Sequence, residues 1–417
     1  MRASRHLFVR RAILIVIAFA VLTAAFLATL RMSTDDSAER TLSGPYVEST
    51  IRPSIAQTVL DADVHRFYQD WKSLFVRQDC GEGMNQVYSP DAKYPYVAEA
   101  QAYGLVIAAS MAGTDPSARE LFDGILAYVL AHPSGNNENL MAAEQDIDCA
   151  DTGGSNSATD GDMDIAYSLL LADKQWGSAG TYDYRTLALR RIAALKQDAV
   201  NPRTKLMLLG DWSERGVPRL YNVSRTSDWN IHHFRVFAAA TGDPEWDAIG
   251  VAHQNAIATL QETYSARTGL LPDFVEATSD GVAPVDGKVL ESEYDGAYYF
   301  NACRVPWRLG LDAITSGDRA SLHATRKIST WARTETRGDP DVFGTGYTLD
   351  GSRLSAADSS AFFTPLAVAA MTDPAASDWL DSLWTKMADT PAQRRDYYGA
   401  TIQLQVMLIV SGRYTAA

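Results

Sequence analysis

Apolar residues recur along most of this chain at spacings of three and four. Between 116 and 131, Phe122, Ile125, Leu126, Val129 and Leu130 fall at i, i+3, i+4, i+7 and i+8, the stripe of a helix with one buried face. Read the same way throughout, the chain predicts twelve helices, at about 62–76, 99–113, 116–131, 162–173, 183–198, 230–241, 244–264, 298–315, 318–334, 357–371, 375–388 and 396–411. Asp115-Pro116, Asp243-Pro244 and Asp373-Pro374 each set a capping Asp before a Pro at the first helical position, and Gly317-Asp318 does the same without the proline. Tight turns of this kind, repeated at intervals, predict antiparallel helical hairpins laid side by side. Periodicity alone therefore reaches an all-α chain of helical hairpins.

The long connections, 77–98, 132–158, 199–229 and 265–297, fall on alternate junctions and are rich in Trp, Tyr, Asp and Gly. Loops of that length in a compact domain are usually functional, so they are expected to wall a cleft at one end of the helical array. Ahead of the helices, residues 13–30 form an uncharged apolar run just long enough to span a bilayer, preceded by Arg2, Arg5, Arg10 and Arg11. Residues 1–31 are thus expected to be a signal anchor, or a signal peptide if cleaved, with the basic side in the cytoplasm. The polar, aperiodic stretch 32–58 is expected as an extracytoplasmic tether and 59–417 as the folded domain. Beyond residue 31 the chain has 32 basic against 51 acidic groups, a net charge of −19, which argues against nucleic acid as a partner.

Two places concentrate acids where they could do chemistry. In Ala158-Thr159-Asp160-Gly161-Asp162-Met163-Asp164, three carboxylates precede an apolar helix whose buried face is marked by Ile165, Leu169 and Ala172. The spacing does not fit a calcium loop, which needs Gly and Glu where this chain has Ile165 and Leu171. Glu99 heads a helix of almost pure Ala, Tyr, Gly, Leu, Val and Ile, an apolar setting in which desolvation raises a carboxyl pKa. The histidines and the three cysteines show no metal-ligand spacing, so no metal and no cofactor are expected.

The stretch from Ala158 to the closing Trp176 resembles the signature of glycoside hydrolase family 8, and further motifs follow in family order. These are Val97-Ala98-Glu99-Ala100-Gln101-Ala102-Tyr103-Gly104, Leu209-Gly210-Asp211-Trp212, Ser227-Asp228-Trp229 with His233-Phe234-Arg235, and Asn301-Ala302-Cys303-Arg304-Val305-Pro306-Trp307-Arg308. The resemblance runs from about Trp71 to Arg413. It implies an (α/α)6 barrel of six hairpins and an inverting endo-β-1,4-glycanase that acts on a polysaccharide such as chitosan, lichenan or a cellulose-like glucan. By the same resemblance Glu99 is the general acid, and Asp160 holds the sugar at the cleavage point. Asp162 and Asp164 read as structural, bonding loop N–H groups.

Many members of that family carry the general base as an Asp where this chain has Asn301, and an amide cannot serve as a base. A subgroup of chitosanases and lichenases shares the Asn and takes its base from a Glu in the preceding insertion. In Leu290-Glu291-Ser292-Glu293-Tyr294-Asp295, that implies Glu291 as base, with Glu293 second and Asp295 third. Tyr103, Trp212, Asp228, Trp229, Asn301 and Arg304 are expected to contact the sugar, the aromatics by stacking on its rings. One disulfide is possible outside the cytoplasm, and Cys80 with Cys149 is favoured because Cys303 lies inside the Asn301–Arg304 run. A monomer is expected, touching the membrane only through its N-terminal segment. A binding protein that has lost its base and a polysaccharide lyase on a related barrel are the alternatives.

Overall fold

The computed structural model describes residues 45–90, 93–213, 218–279 and 281–417. Among them are thirteen α-helices: α1 (Gln57–Phe75), α2 (Ala98–Ser110), α3 (Ala118–Ala131), α4 (Thr159–Trp176), α5 (Tyr184–Asp198), α6 (Ile231–Thr241), α7 (Glu245–Thr263), α8 (Val305–Ser316), α9 (Arg319–Thr336), α10 (Ser360–Phe363), α11 (Pro365–Ala370), α12 (Ser377–Asp389) and α13 (Tyr397–Val410). α10 and α11 share one of the twelve expected positions, interrupted at Pro365, which has no N–H to continue the ladder.

The helices form two concentric rings. α2, α4, α6, α8, α11 and α13 each touch the next, and α13 returns to α2, which closes the inner ring. Their sequences explain their place: α2 and α13 are apolar on every side, and α2, α4 and α13 are buried along nearly their whole length, which only an interior helix tolerates. The outer helices keep one apolar stripe, as in Leu60, Val64, Phe67, Trp71 and Phe75 of α1. This is an (α/α)6 barrel. The aspartates before the prolines, Asp115, Asp243 and Asp373, accept the N–H groups of Ser117, Glu245 and Ala375 at 2.8, 3.0 and 3.0 Å, but α3 and α7 start only after Ser117 and Pro244, and Asp373 caps the 3-10 turn Pro374–Ala376 ahead of α12.

Every long connection runs from an outer helix to the start of an inner one, so all lie at one end of the barrel. A fifth, 337–359, joins the four expected. They carry short antiparallel pairs: β1 (Val76–Arg77) with β2 (Gln86–Val87), β3 (Tyr96–Val97) with β4 (Glu144–Gln145), and a three-stranded sheet of β5 (Val223–Arg225), β6 (Phe274–Thr278) and β7 (Gly281–Pro284). Cys80 and Cys149 form a disulfide across two of these connections, while Cys303 is free and buried.

The start of α4 lies against the start of α2. A Cβ on Gly161 would come within 2.8 Å of the Ala98 Cβ and 2.9 Å of its carbonyl carbon, so only glycine permits this approach. Gly161→Ala is expected to destabilise the fold by about 1–3 kcal/mol, as overpacking does. Denaturant unfolding measures this, and a wild-type midpoint would contradict so close a contact.

Two expectations are corrected. The helix expected from 298 begins at Val305, because the Asp273 carboxylate takes the N–H groups of Tyr299, Asn301 and Ala302 at 2.9, 3.1 and 2.7 Å and holds them in a turn. Residues 45–56, placed in the tether, lie against the body, with Val47 N–H on Ile314 O at 2.8 Å and Ile51 N–H on Met371 O at 2.9 Å. The apolar run 13–30 lies outside the described residues, among which no helix is long and apolar enough to cross a membrane.

Candidate active site

Inner-helix starts deliver their side chains to one place. Glu99 sits in the first turn of α2 and Asp160 in that of α4, where free N–H groups and the helix dipole favour acids. Arg304 closes the turn before α8, and Ser227 and Asp228 lie in the turn before α6. Above them opens a cavity of about 510 Å³ whose walls include Glu99, Asp160, Arg225, Glu291, Asn301 and Tyr398.

The buried Arg304 guanidinium ties this floor together. Its Nη1 donates to Glu99 Oε2 at 2.7 Å and to Asp160 Oδ2 and the Tyr103 hydroxyl, both at 3.0 Å. Its Nη2 donates to Ser227 Oγ at 2.8 Å and Asn301 Oδ1 at 3.1 Å. Asn301 then passes the contact on, its Nδ2 donating to Glu291 Oε2 at 2.8 Å. An amide suits position 301 because it offers an acceptor to Arg304 and a donor to Glu291, whereas a carboxylate there would oppose both Glu291 and Asp273.

The acids sit in different electrostatic settings. Burial pushes the Glu99 carboxyl up to about 7; Arg304 opposes that and Asp160 adds to it. Its side chain keeps 18% exposure, and it lines the cavity. Asp160 is also buried, yet Arg225, Arg304 and the Gly161 N–H hold it below the ordinary carboxylate value. Burial carries Asp228 and Asp273 up to about 7.

The loop before Asn301 is organised around Asp295, which is fully buried and accepts four consecutive backbone N–H groups, from Val289, Leu290, Glu291 and Ser292, at 2.7–3.1 Å. This aims Glu291 at the site. Its side chain is 42% exposed and accepts from Arg225 Nη2 at 2.8 Å as well as from Asn301. Glu293, two residues on, is exposed, and neither Asn301 nor Arg225 bonds to it. Asp295 is corrected from third candidate base to the clamp of the loop, since its oxygens are committed to backbone.

Residues 54–412 match the sequence profile of glycosyl hydrolases family 8. The chain belongs to this family. It is a glycoside hydrolase. It is 38% identical over 370 residues to a β-glucanase of Niallia circulans, covering 88% of this chain and 89% of that one. An endoglucanase of Bacillus sp. strain KSM-330 is 33% identical over 369 residues, covering 86% and 78%. Among solved structures, the apo β-1,3-1,4-glucanase from Paenibacillus sp. X4 superposes with a TM-score of 0.86 at 37% identity, covering 89% of this chain and 97% of that one.

Within this family 8 barrel, several residues expected at the sugar lie elsewhere. Tyr103 is 0% exposed beneath Arg304, and Trp229 is 1% exposed, its Nε1 on Ser224 Oγ at 2.8 Å and its ring edge-on to His253. Neither offers a face for stacking. Trp212 is half-buried beside Leu209 and Leu220, with its Nε1 on Ser157 O at 3.2 Å, and is not in the wall of this cavity. Asp228 is buried next to Arg225 and is not in the cavity wall. Asp162 accepts from Met141 N–H and the Arg191 guanidinium. Asp164 departs from the loop-bonding role, accepting instead from His233 Nε2 at 2.7 Å and from Arg308.

Sequence reasoning passed over Arg225, Asp273, Phe300 and Tyr398. Phe300 is 39% exposed in the cavity wall, with Phe362 at 5.1 Å and Tyr299 at 4.8 Å edge-on behind it. The only signal was its position, directly before Asn301.

Proposed function

We propose that the protein is an inverting, endo-acting β-glucanase in which Glu99 is the general acid and Glu291 the general base. One observation carries this reading: two carboxylates line the same cavity in opposite settings, Glu99 desolvated with a carboxyl near 7, Glu291 half in water and held by Arg225 and Asn301. Inversion needs such a pair, one proton donor at the leaving oxygen and one acceptor for the water that attacks the opposite face. Arg304 and Asn301 bridge the two carboxylates, and both carboxylates line the cavity that would take the sugar and the water.

Asp160, kept anionic between two guanidinium groups, is suited to accept hydroxyl hydrogen bonds from the sugar at the cleavage point. The Glu291 loop supports a retained base despite Asn301, and with it a place in the subgroup with Asn at that position. A neutral β-glucan, lichenan-like or cellulose-like, is favoured over chitosan, because the relatives named above are glucanases. Release of reducing ends from lichenan, carboxymethylcellulose, xylan and chitosan tests it. Lichenan or carboxymethylcellulose should be cut fastest; activity on none of the four would leave a binding protein.

Phe300 replaces Trp229 and Tyr103 as the stacking surface. Phe300→Ala is expected to raise KM for a polymeric glucan by roughly tenfold with kcat nearly unchanged, the pattern of lost uniform binding. An unchanged KM would remove Phe300 from the subsite.

A further inference from the structure

The floor of the site holds two guanidinium groups that meet at Asp160 and otherwise serve different acids. Arg304 serves Glu99 and Asp160. Arg225, at the end of β5, serves the other side: its Nη2 donates to Glu291 Oε1 at 2.8 Å, and its Nη1 lies 3.7 Å from Asp160 Oδ2 and 3.9 Å from Asp228 Oδ2. Its guanidinium carbon lies 5.3 Å from the centre of the Phe274 ring, the residue opposite it in the β5–β6 register, and its side chain is 12% exposed. It is therefore held from below and cannot swing freely.

Glu291 itself stands on a long connection. Asp295 fixes its backbone, but among the described residues its side chain is hydrogen-bonded only by Arg225 and Asn301. These two donors take one carboxylate oxygen each, so together they set the plane of the carboxylate. Asn301 alone would leave that plane free to rotate about one bond. A planar guanidinium that gives one N–H to Glu291 while its other nitrogen faces Asp160 and Asp228 fixes the direction of that bond in a way a freely rotating ammonium does not.

We propose that Arg225 is the positioning residue for the general base, orienting the Glu291 carboxylate toward the attacking water while tying it through Asp160 to the sugar subsite. This rests on the reading of Glu291 as base. Arg225 contacts the carboxylates of Glu291, Asp160 and Asp228, and its role is through Glu291.

A double-mutant cycle separates this from a structural role. Arg225→Gln alone is expected to lower kcat on lichenan by roughly tenfold or more while KM changes less than about twofold. Arg225→Lys, which keeps the charge but loses the fork, should recover part of the loss. In Glu291→Ala assayed with azide there is no carboxylate to orient, so adding Arg225→Gln should cost almost nothing further. An equal loss in both backgrounds overturns the proposal and makes Arg225 a structural strut. Should Arg225→Gln fail to fold, Arg225→Lys decides through the same cycle: a loss confined to the Glu291 background supports the proposal, and wild-type kcat or equal losses overturn it. Failure of the underlying reading looks different, because Glu291→Gln would then retain activity in the Arg225 background.

Discussion

Replacing Glu99 by Gln is expected to lower kcat on a polymeric glucan by at least about a hundredfold, or about 2.7 kcal/mol of transition-state stabilisation, without unfolding the protein. The amide keeps the shape of the side chain and an oxygen that can still accept from Arg304 Nη1. What it loses is the proton. In the wild-type enzyme the carboxyl must be protonated to act, and its value near 7 makes kcat/KM fall as pH rises through about 7. That alkaline limb should be absent from the residual activity of Glu99→Gln. A substrate whose leaving group departs without a proton, such as a dinitrophenyl glycoside, should lose far less. If Glu99 were only a helix-start acid, the change would cost about 1 kcal/mol of stability and spare turnover.

The second large effect is expected at Glu291. Glu291→Gln should also remove at least about a hundredfold of kcat, whereas Glu293→Gln should leave most of it. The distinction comes from the Asp295 clamp, whose four N–H contacts set the register of the loop so that Glu291 meets Asn301 and Arg225 while Glu293 faces solvent. A loop acting only as a solvated acidic surface would make both changes nearly silent. The reverse pattern, with Glu293 essential, would move the base by two residues.

Much of the fold was legible because an (α/α)6 barrel writes itself as local periodicity. Each outer helix needs a stripe such as Leu60 to Phe75, inner helices such as α2 and α13 are apolar all round, and tight turns use an Asp. The start of α8 was not legible, because it depends on Asp273, nearly thirty residues away, capturing N–H groups that a local reading assigns to a helix. Glu99, Asp160 and Arg304 were singled out because their motifs resemble those of family 8, and the structure brings the three side chains together. The placement of the aromatics was not legible. Whether Trp229 packs on His253 or faces a sugar is settled by tertiary packing, and nothing in Ser227-Asp228-Trp229 distinguishes the two. Arg225 carried no signal either, since its contacts with Asp160 of α4 and Glu291 depend on tertiary packing.

Glu99 as acid and Glu291 as base across one cavity are tested together by supplying a nucleophile that needs no base. Azide added to Glu291→Ala fits the space the carboxylate leaves and attacks the sugar from the face opposite the leaving group. Product configuration read by proton NMR should show partial recovery of turnover with an α-glycosyl azide from the β-linked glucan, and no azide effect in Glu293→Ala. A β-glycosyl azide, or no response to azide in a folded Glu291→Ala protein, would contradict an inverting site with Glu291 as its base.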